Sequence, residues 1–311
     1  MVALQQVLML FSLILIGFFV RKKGIVSDNI IKEISSLVLN VTLPALIIVS
    51  MDFNFDKDML IRSGKLVVIS FVVYFIAFIV STIFVKIVHS EGKERDVLQY
   101  ACIFSNTGYM GYPVINAVLG PEGVFYTALY NLSFSILVYS LGVFLLNRSK
   151  DGEADRSIKD TVKSILNPAL FAVIFGLILF VFSIDLPEQI FSVIKMIGGV
   201  TTPLSMMLVG FILSSVDFKE IISDKRLYYL GIVRLLILPL IVFSGSKLLG
   251  FTGFLLAIPV IITGMPSAAN TAIIASRYDS DYRTASKAIF LTTFFSIFTI
   301  PGIITLVNMF M

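Results

Sequence analysis

The sequence is organised around one short stretch, SNTGYMGYP at residues 105–113, which lies midway along an apolar run from Val97 to Leu119. Two glycines and a proline within six residues disfavour a continuous helix, because glycine adds backbone freedom and proline removes a hydrogen-bond donor. In hydrocarbon the freed N–H and C=O groups need partners, so such a break survives only inside protein or beside a wet cavity. The stretch therefore predicts a broken membrane helix that lines a site.

A second stretch, TGMPSAANT at residues 263–271, interrupts another apolar run. Paired interruptions in corresponding positions of two halves point to the binding site of a transporter. We expect each proline to begin a second half-helix, so that two N-terminal ends with partial positive charge face one point and favour an anion. The side chains of Asn106, Ser267 and Asn270 would add neutral donors. The carboxyl ends of the first half-helices would suit a coupling proton or sodium ion, and the sequence does not choose between them.

Composition indicates a polytopic membrane protein. Of the 311 residues 57% are hydrophobic and 14% charged, and the mean hydropathy is +0.97, which is far from a soluble chain. The net charge of +4 comes from basic residues in short loops, so no nucleic-acid partner is expected. With one cysteine and one histidine, a disulfide framework and the usual metal sites are excluded, and no cofactor is expected.

Ten apolar runs are long enough to cross about 30 Å of hydrocarbon. The predicted spans are 2–20, 30–50, 64–87, 97–119, 122–146, 163–183, 188–215, 227–248, 251–275 and 284–309. The longest polar loop, Asn147–Lys163, carries nine charges and separates five spans from five. The predicted domains are a first repeat (1–146), a cytoplasmic linker (147–162) and a second repeat (163–311). An odd number of spans per half inverts the second repeat, and Pro44 and Pro203 occupy matching places in the second and seventh spans.

The distribution of basic residues predicts the orientation. Eighteen of the 24 lysines and arginines fall in alternate loops on one side, which includes the long loop. Because cytoplasmic loops are enriched in lysine and arginine, that side is predicted to be inside. Both termini would then lie on the outer side of the cell membrane.

Charged residues within the spans are few. No aspartate or glutamate falls in the core of a predicted span, which argues against a cation/proton antiporter. Lys195 is close enough to a helix end to snorkel, whereas Arg234 lies about 12 Å from its cytoplasmic helix end at 1.5 Å per residue. Arg234 could either attract substrate or hold helices together. For Asn106 and Asn270 the structural alternative is a hydrogen bond between helices.

The two interrupted stretches also resemble motifs of the auxin efflux carrier family, which includes the plant PIN-FORMED carriers and many bacterial permeases. Residues 106–113 match its pattern N-T-x-x-M-G-x-P, and residues 265–271 match M-P-S-A-A-N-T. The following ASRY, residues 275–278, lacks the acidic residue that the family has before its tyrosine. The long cytoplasmic loop of many plant members is also missing.

The resemblance implies an all-α fold of ten transmembrane helices in two inverted five-helix repeats, with the fourth and ninth helices broken at prolines and crossing. It implies a homodimer that moves small organic anions by an elevator-like motion, as known for indole acetate in plants and malate or malonate in bacteria. Asn106 would contact the substrate carboxylate. The candidate substrate-binding residues are Asn106, Thr107, Gly111, Pro113, Pro266, Ser267, Asn270, Arg234 and Asn40.

The sequence thus predicts a secondary transporter for a small carboxylate in the plasma membrane. Two alternatives remain open: a sodium-coupled organic-anion symporter of the bile-acid type, and a membrane receptor that transports nothing. An enzyme is not expected, since the sequence contains no HExxH, no GxSxG and no membrane-embedded aspartate pair. Without a nucleotide-binding loop, the chain cannot itself use ATP.

Overall fold

The computed structural model describes residues 2–149, 165–214 and 224–311. These residues are helical apart from their connections, and their only β-type pairing is one isolated bridge. In chain order the helices are α1 (Val2–Lys22), α2 (Asp28–Leu37), α3 (Leu43–Val49), α4 (Lys57–Ile87), α5 (Gly92–Ile103), α6 (Tyr112–Tyr130), α7 (Leu132–Leu137), α8 (Val143–Asn147), α9 (Pro168–Phe182), α10 (Glu188–Gly199), α11 (Thr201–Ser214), α12 (Lys225–Ile232), α13 (Leu238–Leu248), α14 (Phe254–Thr263), α15 (Thr271–Arg277) and α16 (Tyr282–Asn308).

Seven helical stretches of the described chain are long and apolar enough to cross a membrane, as expected of a multi-pass membrane protein. They are Gln5–Lys22, Asn29–Val49, Lys57–Ile87, Thr107–Asn147, Glu188–Ser214, Lys225–Leu248 and Tyr282–Asn308. Two further apolar helices, α9 and α14, are shorter, with 15 and 10 residues. Neither is long enough by itself to cross about 30 Å of hydrocarbon.

The difference between seven stretches and ten predicted spans arises at identifiable places. The predicted fifth span and the second part of the fourth belong to one stretch of 41 residues, Thr107–Asn147, which bends at Gly120 with a φ of 68°. The predicted ninth span is divided into α14 and α15. Most of the predicted linker 147–162 lies outside the described residues. The ten spans, the two domains and their inverted relationship therefore stay predictions.

Within the described ranges, wide π-helical turns interrupt the helices at four places. They are Val38–Thr42, Thr107–Gly111, Val138–Gly142 and Val233–Ile237. Three of these turns run directly into a helix that has proline in its first two positions, namely α3, α6 and α13. In an α-helix the proline ring clashes with the carbonyl group four residues earlier, and the proline offers no N–H to bond it. A wider turn moves that carbonyl group away, which explains the position of these three turns.

The chain forms two compact units. The first consists of Met1–Val67, Gly108–Leu132 and Ile165–Ser214, and in it α1 packs along α11 while α3 packs against α9 and α10. Glycines allow the first contact: a Cβ on Gly17 would lie 2.2 Å from the carbonyl oxygen of Met207. Likewise, a Cβ on Gly210 would lie 2.1 Å from the carbonyl oxygen of Ile14. Small residues let membrane helices approach this closely.

The second unit consists of Val68–Thr107, Ser133–Ser164 and Ser215–Met311. Within it α5 packs against α8, α15 and α16, and α14 packs against α13 and α16. An aromatic cluster stabilises the end of α5, where the ring of Phe104 contacts Tyr74, Tyr100 and Phe134 at centroid distances of 4.6–6.0 Å. Both interrupted stretches that the sequence singles out have their first parts in this unit.

Candidate functional site

Two short extended segments meet in the second unit, one from each interrupted stretch. Helix α5 ends at Ile103, and α14 ends at Thr263. The N–H of Asn106 donates to the carbonyl oxygen of Pro266 at 2.8 Å, and the N–H of Ala268 donates to that of Phe104 at 2.9 Å. Residues 104–106 therefore run antiparallel to residues 266–268, and they satisfy each other's backbone groups where no helix does so.

Ser267 ties this pairing to the helices around it. Its hydroxyl donates to the carbonyl oxygen of Ala101 at 2.8 Å, near the carboxyl end of α5. Its N–H donates to the hydroxyl oxygen of Thr292 on α16 at 3.1 Å. The sequence predicts Ser267 as a donor to substrate, but its single hydroxyl proton is already used by the protein.

Arg234 lies at the same end of α5. Its side chain is 1% exposed, and Nη1 is 3.4 Å from the carbonyl oxygen of Cys102. It sits in the π-helical turn that precedes α13. In the described part of the chain, Arg234 and Asp96 are the charged residues that are fully buried. A positive charge at the carboxyl end of a helix is stabilising, because the last carbonyl groups carry partial negative charge.

Asn106 is the last residue of the paired segment 104–106, and Thr107 follows it directly. Both side chains are buried, with exposures of 3% and 0%. The hydroxyl oxygen of Thr107 is completely buried and has no hydrogen-bond partner among the described residues. Burying a hydroxyl without a partner is costly, so a polar ligand at this position would be favoured.

The structure corrects the expectation for Pro266, which the sequence predicts to begin a half-helix. Helix α15 begins instead at Thr271, and Pro266 serves as an acceptor through its carbonyl oxygen. Asn270 is half-buried and immediately precedes α15. Because α15 has only seven residues, we place no anion at its N-terminus. The pairing with residues 104–106, a contact distant in sequence, keeps residues 266–268 extended.

The other predicted site residues belong to the first unit. Pro113 is the second residue of α6, as the sequence predicts for a proline at the start of a half-helix, and Gly111 directly precedes that helix. Asn40 is exposed, and its side-chain amide donates to the hydroxyl of Ser36 at 2.9 Å. The substrate-binding roles of these three residues stay predictions.

A buried carboxylate lies in the first turns of α5, just before the predicted fourth span. Asp96 is fully buried, and its Oδ1 accepts from Nη2 of Arg148 at 2.6 Å and from Nε of Arg95 at 3.1 Å. Nearby, burial raises the pKa of Glu94, an effect that the guanidinium of Arg226 at 2.7 Å partly offsets. The run KERD at residues 93–96 was the available signal. Two of its charges are paired: Glu94 with Arg226 on α12, and Asp96 with Arg148, the residue that follows α8.

None of the described residues form a group of three or more histidines, cysteines, aspartates or glutamates that could hold a metal ion. What the site offers is one buried guanidinium, an amide and an unpaired hydroxyl beside a helix interruption. Such a set can bind an anion through charge and neutral donors. It contains no pair of groups suited to proton transfer or nucleophilic attack on a substrate.

Comparison with known proteins identifies the family. The model of the family described as "Membrane transport protein" matches residues 2–304. An uncharacterized transporter of Methanothermobacter thermautotrophicus is 27% identical over 308 residues, which cover 96% of both chains. An uncharacterized transporter of Methanocaldococcus jannaschii is 26% identical over 304 residues, which cover 96% of this chain and 97% of the relative.

A bacterial relative is more distant. The uncharacterized transporter YfdV of Escherichia coli is 21% identical over 298 residues, which cover 93% of this chain and 92% of YfdV. The family match confirms the resemblance to auxin efflux carriers that the two motifs indicate. The chain therefore belongs to the membrane transport protein family, and it is a membrane transporter and not an enzyme.

Proposed function

We propose that the protein is a secondary transporter for a small organic anion, with the carboxylate bound by Asn106 and Thr107. The observation that carries this proposal is the burial of Arg234 against the end of α5, at the interruption that these two residues occupy. A fixed positive charge within membrane-spanning helices is expensive, and such residues mark substrate pathways. An anion is the ligand class that this charge favours.

The two proposed donors suit a carboxylate. The amide of Asn106 and the hydroxyl of Thr107 can each donate a hydrogen bond without adding a second charge. A hydrogen bond to a charged partner contributes about 1.5–3 kcal/mol. Arg234 would act on the anion mainly through its charge, since its Nη1 already contacts the carbonyl oxygen of Cys102.

We further infer the architecture that this function requires. Ten spans in two inverted repeats would place the interruptions of the fourth and ninth spans together near the membrane midplane, as in other carriers with broken helices. The pairing of residues 104–106 with 266–268 supports this arrangement. A homodimer in the plasma membrane, both termini outside, and an elevator-type motion complete the proposal by analogy with the family.

Calorimetry on the purified protein tests the anion site, with malonate, malate and indole acetate as ligands. Asn106→Ala should leave the protein folded and weaken binding about tenfold to a hundredfold, because it loses a hydrogen bond to a charged partner. Asn106→Asp should weaken binding further, since an ionised carboxylate repels the ligand.

The matched control is Asn147→Ala on α8. The side-chain amide of Asn147 donates to the carbonyl oxygen of Val143 in its own helix at 2.8 Å, so its loss should not change anion affinity. Undiminished affinity in Asn106→Asp would show that the carboxylate is bound elsewhere. If none of the three anions binds to the wild type, the proposed substrate class is wrong.

A further inference from the structure

The carboxyl end of an interrupted helix is a natural place for a cation. Its last carbonyl groups lack partners within the helix and together carry about half a negative charge. Transporters with broken helices use such ends to coordinate the sodium ion or proton that drives them. In this protein the corresponding end belongs to α5, which stops at Ile103 inside the predicted fourth span.

Here three carbonyl groups at or just beyond that end already have partners from the protein. The oxygen of Ala101 accepts from the Ser267 hydroxyl, and the oxygen of Phe104 accepts from the N–H of Ala268. The oxygen of Cys102 faces Nη1 of Arg234. Of these three partners, only Arg234 brings a charge.

Arginine is suited to this position. Its guanidinium keeps its proton in proteins and presents several donors in a rigid plane, so it can neutralise a helix end without a bound ion. The π-helical turn at Val233–Ile237 exists because α13 has Pro239 near its start. The position of Arg234 therefore follows from the local sequence, because Pro239 requires the wide turn in which Arg234 lies.

A metal ion beside this guanidinium would be disfavoured. Two unit charges a few ångströms apart repel by several kcal/mol at the effective dielectric of a protein. Hard cations also require several oxygen ligands, whereas the one fully buried carboxylate in the described part of the chain, Asp96, is paired with Arg95 and Arg148.

We propose that Arg234 takes the place of a coupling sodium ion at the carboxyl end of α5, so that an anion binds at Asn106 and Thr107 without sodium. This inference rests on the proposed anion site. It separates the protein from sodium-coupled organic-anion symporters, in which the bound ion supplies the positive charge that Arg234 supplies here.

The test measures malonate affinity and melting temperature in sodium, potassium and choline chloride at one pH and ionic strength. Malonate should bind the wild type with affinities that differ less than about twofold among the three salts. Arg234→Ala should bind at least about tenfold more weakly in choline, as expected when a charged partner is lost. Millimolar guanidinium or sodium should restore part of that affinity.

The control is Lys195→Ala, which removes an exposed cation from α10 in the first unit and should behave as the wild type in every salt. If Arg234→Ala does not fold, Arg234→Lys replaces it and should stay independent of sodium. A wild-type protein that needs sodium for binding would overturn the inference, as would an Arg234→Ala variant with full affinity in choline.

Melting temperatures test the role of Arg234 without a ligand, so this inference and the proposed substrate class can fail independently. If no carboxylate binds to the wild type, the substrate class fails, but the role of Arg234 can still be read without a ligand. Arg234→Ala should melt at a lower temperature than the wild type, and guanidinium or sodium should raise the melting temperature of the variant only. An equal response of both proteins would contradict the proposed role.

Discussion

At the scale of single residues, Thr107 and Thr292 show how the same side chain serves two purposes. The hydroxyl of Thr292 is fully used: it donates to the carbonyl oxygen of Ala288 at 2.7 Å and accepts from the N–H of Ser267 at 3.1 Å. The hydroxyl of Thr107 is equally buried, but no partner for it is found in the described ranges. The first arrangement stabilises the fold, and the second favours a ligand.

Replacing each threonine by valine should therefore have opposite effects. Thr107→Val removes a buried unpaired hydroxyl at nearly constant volume, so the ligand-free protein should be at least as stable as the wild type while anion affinity falls. Thr292→Val removes a partner from Ser267 and should destabilise the protein by about 1–3 kcal/mol. Denaturation and calorimetry on both variants test this. A loss of stability in Thr107→Val without a loss of affinity would assign it a structural role.

At the scale of helices, the sequence predicts some features well because they are local. Pro113 begins α6, since the constraint that proline places on a helix start depends only on its own ring and the preceding turn. The behaviour of Pro266 depends instead on a partner 160 residues away, Asn106, whose N–H binds its carbonyl oxygen. No periodicity in the sequence contains that information. The contact of Arg234 with α5 is hidden for the same reason.

Close packing of α1 on α11 leads to a prediction at this scale. Gly17→Ala would bring a Cβ to within 2.2 Å of a backbone oxygen of Met207, so the helices must separate, and overpacking of this kind costs about 1–3 kcal/mol. The control Gly64→Ala lies on α4, where nothing is within 4 Å of an added Cβ, and it should be neutral or slightly stabilising. Melting temperatures in detergent compare the two. Equal melting temperatures for both variants would argue against a tight α1–α11 contact.

At the scale of the whole molecule, composition and the two motifs are sufficient to predict an all-helical transporter of this family. They do not determine how many helices cross the membrane. A count based on apolar length treats the bent stretch Thr107–Asn147 as one span, and it leaves out the short helices α9 and α14. The candidate site was predicted in part: Asn106, Pro266 and Ser267 do meet in one unit. The role of each depends on contacts that only the fold reveals.

Orientation can be tested on intact cells with an impermeant maleimide. The single native cysteine, Cys102, is fully buried and should not react. Any labelling then comes from the introduced cysteine. From the distribution of lysine and arginine we expect Leu249→Cys, between the eighth and ninth predicted spans, to be labelled from outside. Glu91→Cys, between the third and fourth, should be labelled only after permeabilisation. The reverse pattern would refute the predicted orientation.

The pairing of residues 104–106 with residues 266–268 has a consequence for the diversity of this family. The two hydrogen bonds of this pairing use main-chain atoms alone, so they do not depend on which side chains the two segments carry. Side chains such as that of Asn106 can therefore change through mutation while these two hydrogen bonds are kept, whereas the hydroxyl of Ser267 has its own bond to Ala101. A carrier built in this way can acquire a new substrate by exchanging a few side chains, and its descendants can diverge in chemistry while they share one scaffold.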